Sequence, residues 1–357
     1  MPRKRNKENV GLPARWKVEH GAYYYQVPAG IEDRWDGKKK FRLGKSLPEA
    51  YAEWARRLEV VQGVATIAQL LDRYAAEVVP TKAVRTQVEN NRALKNLRAV
   101  FGAAPLNWLK PQNVYQYADT RRKTPVAANR AIDVLSHAYT KAVEWGLIDR
   151  HPFKGEVRLQ GEKPRDRYVE DWEIIEVLGM VSKRKKGSVL MLQAYIRLKL
   201  LTGMRRGDLL RLRVADVDLN NQDGMHVTPH KTEGSTGKRQ IYEWTPELRE
   251  AVATAKSVRP VDISPWLFCT RKGEGYINEA KGTASGWDSV WQRFMDRVEE
   301  ESNVKVRFTE HDLRAKCASD AETLEHARAL LAHADSKVTD RIYRRKPERV
   351  MPGKINF

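Results

Sequence analysis

Cysteine is nearly absent from this chain. Only Cys269 and Cys317 occur among 357 residues, too few for a disulfide framework and in keeping with a reducing compartment. There is no Cys-x-x-Cys, and the 8 histidines show no metal-ligand spacing, which removes the usual zinc arrangements. No apolar run approaches the roughly 20 residues of a membrane-spanning helix. The opening MPRKRNKENV has charges with no hydrophobic stretch behind them, so it reads as a basic arm and not as a secretory signal. A Gly-x-x-x-x-Gly-Lys nucleotide loop, a serine elbow and a paired acidic metal cluster are all missing. Internal repeats and low-complexity tracts are missing too.

Negative charge is also in short supply. Lys plus Arg number 65 against 46 Asp plus Glu, a surplus of +19. The excess is present in every stretch: 14 basic against 8 acidic residues over 1–62, 15 against 8 over 63–160, and 36 against 30 over 161–357. Lysine and arginine that neutralise phosphates release condensed counterions, so such a surplus points to a nucleic acid. A basic but otherwise ordinary soluble protein is the plainer reading. Hydrophobic residues make up 41% of the chain, enough for real cores, and the length suits two or three domains.

Three segments follow from composition and periodicity, in a chain that is mainly α with small β elements. Over 1–62, "YYYQVPAG" and "KKKFRLGKS" read as short strands around turn residues Asp33, Asp36 and Gly37. Ser46 and Glu49 then form a capping box ahead of one helix. This small α+β unit is either a generic appendage or an auxiliary DNA binder. Residues 63–160 read as four helices, the first starting at Thr66 and the second stopping at Gly102. Arg85, Arg92, Lys95, Arg98, Arg121, Arg122, Lys123 and Arg130 are expected on faces away from the core, suited to a DNA backbone or simply to water. The polar "GEKPRDRYVE" over 161–170 reads as a linker. Beyond it, helices are interrupted by one hairpin, "GMHVTPHKTEGSTGKRQIYEW", with its turn at 233–237.

Four clusters in the last segment carry candidate chemistry. In "LTGMRRGDLL", Arg205 and Asp208 are three apart and can share a face, as a rigid phosphate clamp or as a weak surface pair. Lys231 ends the first hairpin strand, where it can deliver a proton or merely sit in solvent. In "TEHDLRAKCAS", Thr309 and Asp312 form a capping box, so His311 and Arg314 face the same way near a helix start. In "LLAHADSKVTDRIYRR", His333 and Tyr343 can meet in one pocket across a short connection. Together these give cations to neutralise phosphate oxygens, a phenol to attack phosphorus and a lysine to protonate the leaving oxygen. Such a set suits phosphoryl transfer without a metal.

The ordered set "TGMRRGDLL", "HKT" on a hairpin, "HDLR" and "LLAH…IYRR" resembles the tyrosine recombinases, specifically phage integrases of the lambda-integrase type. The likeness spans about 170–345 at motif level. It implies a basic arm and small α+β arm-binding domain over 1–62, a helical core-binding domain over 63–160, and a linker with a mixed α/β catalytic domain and tail over 161–357. It implies that Arg205 and Arg314 clamp the scissile phosphate, Lys231 is the general acid, His311 assists proton transfer at the tyrosine, His333 hydrogen-bonds the phosphate, Asp208 braces the first arginine box and Tyr343 is the nucleophile. The product of cleavage would be a 3′-phosphotyrosine, with strand exchange needing no cofactor, metal or ATP.

The resemblance further implies site-specific integration and excision of a phage or other mobile element. The work would fall to a homotetramer on double-stranded core and arm attachment sites. A host DNA-bending protein and an excisionase would assist, in the nucleoid region of a bacterial cytoplasm and away from any membrane. A type IB topoisomerase and a non-catalytic architectural DNA binder are the alternatives; the arm-like first segment argues against the former and the complete catalytic set against the latter. Three departures stand out. The stretch after "HDLR" is compressed and reads "CASDAETLEHARALLAH". The His333–Tyr343 spacing is one residue longer than the common family pattern, and Ala332 stands where that pattern has glycine.

Overall fold

The structure is a computed structural model that describes residues 9, 11–57, 64–162, 165–183, 186–230, 239–347 and 351–353. The arm over 1–8, Lys231 and the hairpin turn at 233–237 lie outside the described residues. The chain divides into two compact units, Met1–Lys163 and Pro164–Phe357. The boundary falls inside the polar stretch read as a linker.

In the first unit, strands β1 (Trp16–Glu19), β2 (Ala22–Gln26) and β3 (Lys40–Gly44) form an antiparallel sheet in that order. β2 and β3 are the expected strands, while β1 was not foreseen. β1 and β2 are joined over His20 and Gly21, with φ of 48° and 70°, the positive pair whose twist matches the flanking strands. Alternation along the strands buries Trp16, Tyr25, Phe41 and Leu43 on one face. Helix α1 (Leu47–Arg57) covers that face, with Trp16 stacked 4.9 Å from Tyr51 and 5.7 Å from Trp54. Its start is capped reciprocally, Glu49 N donating to Ser46 Oγ and Ser46 N to the Glu49 carboxylate.

Four helices follow: α2 (Ile67–Glu77), α3 (Val84–Phe101), α4 (Pro111–Thr120) and α5 (Pro125–Glu144). Thr66 and Gln69 cap α2 reciprocally. Ile67, Leu70, Leu71, Tyr74, Leu97, Leu135 and Tyr139 are fully enclosed at the centre. One apolar cluster joins the sheet and these helices, from Leu12 to Phe153. Arg85, Arg92, Arg122, Lys123 and Arg130 are exposed. Arg98 departs from the expected cationic face: it is buried and ion-paired with Asp72 of α2. Its aliphatic stem fills the core while its guanidinium finds a carboxylate, which periodicity of charge cannot reveal.

The second unit contains α6 (Asp171–Leu178), α7 (Ser188–Thr202), α8 (Arg206–Leu210), β4 (Met225–Val227), β5 (Gln240–Tyr242), α9 (Pro246–Ser257), α10 (Ser285–Glu301), α11 (Glu310–Asp320), α12 (Leu324–Leu330) and α13 (Ser336–Val338). A π-turn over Thr339–Tyr343 then closes the fold. β4 and β5 pair antiparallel, Met225 opposite Tyr242. Helix α7 is the central rod, enclosing Leu192, Ala194, Tyr195, Ile196 and Leu198 and packing against α9 and α11. A helix apolar on all sides belongs in a core. The whole is mainly helical with small antiparallel sheets. Among the described residues no helix is long and apolar enough to cross a membrane.

Candidate active site

The site grows from the break between α7 and α8. Gly203 adopts φ 61°, and a Cβ there would lie 2.8 Å from Leu331 Cδ2 and 3.1 Å from Cys317 Sγ. The turn is therefore closed to larger residues on both conformational and steric grounds. It carries Arg205, which caps α8. Arg205 Nη1 lies 4.0 Å from the buried Asp208 Oδ2. Asp208 Oδ1 also accepts the backbone N–H of His230 at 2.9 Å, so one carboxylate ties the first arginine to the segment that follows β4.

Helix α11 supplies the facing wall. Thr309 N donates to Asp312 Oδ2 at 2.8 Å, and Asp312 N donates to Thr309 Oγ1 at 3.3 Å, the expected capping box. His311 and Arg314 project from the turn that this box fixes. Arg314 is buried. Its Nη1 donates to Gly203 O, and its Nη2 to Leu331 O at 2.7 Å. Among the described residues its Nε has no hydrogen-bond partner, a spare donor in a place where buried donors are normally satisfied.

His333 follows α12 through a turn that explains its neighbour. Ala332 N donates to Ala329 O at 3.0 Å and His333 N to Arg328 O at 3.1 Å. This is a Schellman closure with Ala332, at φ 51°, in the left-handed position that glycine normally fills. His333 Nε2 lies 3.2 Å from Arg314 Nη2, and Nδ1 lies 2.8 Å from Thr339 Oγ1. Arginine can only donate, so Nε2 is the acceptor and Nδ1 carries the proton toward Thr339.

Tyr343 ends the π-turn. Arg344 N reaches back five residues to Thr339 O at 3.2 Å. A π-turn holds one residue more than an α-turn across the same span, and so absorbs the extra residue between His333 and Tyr343. The Tyr343 ring is 5.0 Å from the rings of both His311 and His333, and the Arg314 guanidinium stands 5.4 Å from its centroid.

A cavity of about 470 Å³ is lined by Lys199, Arg205, Arg206, Thr309, Glu310, His311, Arg314 and Tyr343. Four cations face one carboxylate there, which suits an oxyanion with several charged oxygens. Burial, reinforced by Arg345 and Arg314, pulls His311 down to about 4. Burial, with Arg314 and Arg205 beside it, does the same for His333, also to about 4. Both are neutral at pH 7.

The structure thus gathers five of the sequence-derived residues, Arg205, His311, Arg314, His333 and Tyr343, with Asp208 behind Arg205. Lys199 and Glu310 were missed. Lys199 is fully buried and donates to Met204 O at 2.8 Å. Burial drives its pKa down to about 7, opposed by Glu310. The signal was a lysine in the largely apolar run "YIRLKLL", four residues after Tyr195. Glu310 accepts from Tyr195 Oη and, at 3.0 Å, from Trp287 Nε1.

The "Phage integrase family" model matches residues 174–349, the stretch that holds every one of these groups. Residues 174–349 belong to the phage integrase family. This tyrosine recombinase, a DNA strand-cleaving and rejoining enzyme, shares its fold with solved integrases. A lambda integrase dimer bound to a COC′ core site aligns at 18% identity with a TM-score of 0.61, covering 98% of this chain and 99% of that one. A lambda integrase tetramer bound to a Holliday junction gives 17% and 0.61, with the same coverage. The Tn1549 transposon integrase in complex with a circular intermediate DNA gives 16% and 0.62, over 77% of this chain and 94% of that one. No curated protein matches the sequence.

Proposed function

We propose that this recombinase integrates and excises a phage or other mobile element, and that Tyr343 is its nucleophile. The observation that carries the reading is the convergence of Tyr343, Arg205, Arg314 and the neutral His311 on one cation-lined cavity, with the neutral His333 against the Tyr343 ring. A phosphodiester of double-stranded DNA is the substrate. Arg205 and Arg314 hold its non-bridging oxygens, and the spare Arg314 Nε gives one more donor. His311 accepts the phenolic proton as Tyr343 Oη bonds to phosphorus. The bond from phosphorus to the 5′-oxygen breaks, and Lys231 protonates that oxygen. His333, whose Nδ1–H is given to Thr339 and whose Nε2 accepts from Arg314, orients Arg314; the hydrogen bond to the phosphate expected of it requires Nε2 to leave Arg314 and take up a proton. The 3′-phosphotyrosine keeps the energy of the broken bond, so a 5′-hydroxyl from the other duplex reverses the steps without ATP.

In this reading residues 1–62 bind arm sites, 63–160 bind core sites and 161–357 cut. Exposed Arg85, Arg92, Arg122, Lys123 and Arg130 support backbone contact by the helical segment. Four subunits act on two duplexes, as the lambda integrase tetramer on a Holliday junction suggests by its fold. A host DNA-bending protein and an excisionase are the accessory partners the reading calls for.

The test is covalent trapping. Full-length protein is incubated with nicked duplexes drawn from the DNA flanking its coding sequence, and adducts are resolved on a denaturing gel. The wild type is expected to form an adduct and Tyr343→Phe none. An adduct from Tyr343→Phe would overturn the nucleophile assignment. Plasmid relaxation without exchange between two sites would overturn the recombinase reading in favour of a topoisomerase.

A further inference from the structure

The residues after Tyr343 continue a basic run, yet two of them are engaged with the fold. The Arg345 side chain is only 5% exposed. Its Nη1 lies 2.7 Å from Asp312 Oδ1 and 3.1 Å from Arg167 O. Asp312 is wholly buried and also accepts from Arg165 Nε at 2.8 Å and from Thr309 N. Burial acts to raise its pKa, but these donors outweigh it and hold the carboxyl below its usual range. Two turns further along α11, Ser319 Oγ donates to Tyr343 O at 2.9 Å and accepts from Arg345 N at 2.7 Å. Lys346 Nζ pairs with Asp320 at 3.2 Å.

Tyr343 therefore sits between two sets of fixings. Before it stands the π-turn, closed by Arg344 N to Thr339 O. After it, Asp312 and Ser319 grip the chain from both ends of α11, the helix that also presents His311 and Arg314. We propose that Arg345 is a positioning residue, a latch that seats the nucleophile of its own chain in the pocket of that chain. The proposal rests on Tyr343 being the nucleophile. Arg345 touches no reacting atom; its guanidinium closes on Asp312, and the intervening peptide aims the phenol.

Adduct formation on the nicked duplex, DNA affinity and melting temperature are measured together on the full chain. Arg345→Met keeps the apolar stem and removes the guanidinium. A nucleophile displaced by about 1 Å loses on the order of a hundredfold in rate, so adduct formation is expected to slow roughly tenfold to a hundredfold, with DNA affinity within about twofold of wild type. A mixing experiment adds a readout that a merely structural role would not move. Subunits carrying Arg314→Ala are mixed with subunits carrying Tyr343→Phe. With Arg345 intact no adduct is expected. With Arg345→Met added to the Arg314→Ala subunit, its freed tyrosine reaches the intact pocket of a neighbour and adduct appears. Wild-type adduct rates from Arg345→Met, or a loss matched by an equal fall in DNA affinity, would overturn the latch. Should Arg345→Met not fold, Ser319→Ala loosens the same peptide without disturbing the buried pair; an undiminished rate there overturns it equally. Adduct from Tyr343→Phe alone is a different result, sinking the nucleophile assignment whatever Arg345 does.

Discussion

Ala332 is the sharpest point at which sequence and conformation disagree, and Ala332→Gly turns that disagreement into a measurement. At φ 51° the alanine closes the α12 Schellman turn. A left-handed residue other than glycine costs about 1–2 kcal/mol. Glycine removes that cost but gives the unfolded chain more freedom, worth about 0.4–1 kcal/mol. The net expectation is a stabilisation of about 0.5–1 kcal/mol. Spread over a unit of 194 residues (164–357), this raises the melting temperature by roughly 1–4 °C. Differential scanning calorimetry of the full chain reads it directly. The His333 contacts to Arg314 and Thr339 do not involve the Ala332 side chain, so the rate of adduct formation should stay within about twofold. A melting temperature that stays put or falls would refute the strain argument, showing that the methyl group makes compensating contacts.

Two further expectations follow from the site. Arg205→Ala should abolish strand cleavage while DNA affinity largely survives, because the guanidinium is one of several cations in the cavity; equal loss of both in parallel gel-shift and trapping assays would make it a binding residue. The folded protein holds His311 and His333 at about 4, below their unfolded value of about 6.5. The unfolded chain binds more protons between those values, so this stability is present above pH 6.5 and is lost as pH falls toward 4. Denaturant midpoints should drop across that window, and drop less in a His311→Gln, His333→Gln double variant; equal drops would count against the assignment.

Short-range grammar made much of the molecule legible. Ser46 with Glu49 and Thr309 with Asp312 mark helix starts through bonds three residues apart, and both form; the helix start read at Thr66 is capped as well, by a pairing with Gln69 that was not read. The two arginine boxes are legible for the same reason, since Arg205 with Asp208 and His311 with Arg314 each lie within one helical turn. What escaped depends on distant partners. Strand β1 is four residues long, and only its pairing with Tyr23 to Tyr25 gives it away. Arg98 looks like its exposed neighbours until Asp72 is brought beside it. Arg345 reads as one more tail cation, yet its partner lies 33 residues earlier. Nothing local tells a five-residue backbone bond at Thr339 from the ordinary four-residue one; the choice falls to His333, Ser319 and Asp312, which hold the segment at both ends.

The π-turn also changes how distance along such a chain should be measured. An insertion that would rotate Tyr343 about 100° around an ordinary helix is taken up in a single wide turn, so the phenol still faces His311 and His333. Counting residues from histidine to tyrosine is then a poor ruler for this centre, and a search pattern with a rigid gap would pass over chains whose pockets are complete. The quantity held fixed is the position of the ring, and the backbone has a spare coil with which to keep it.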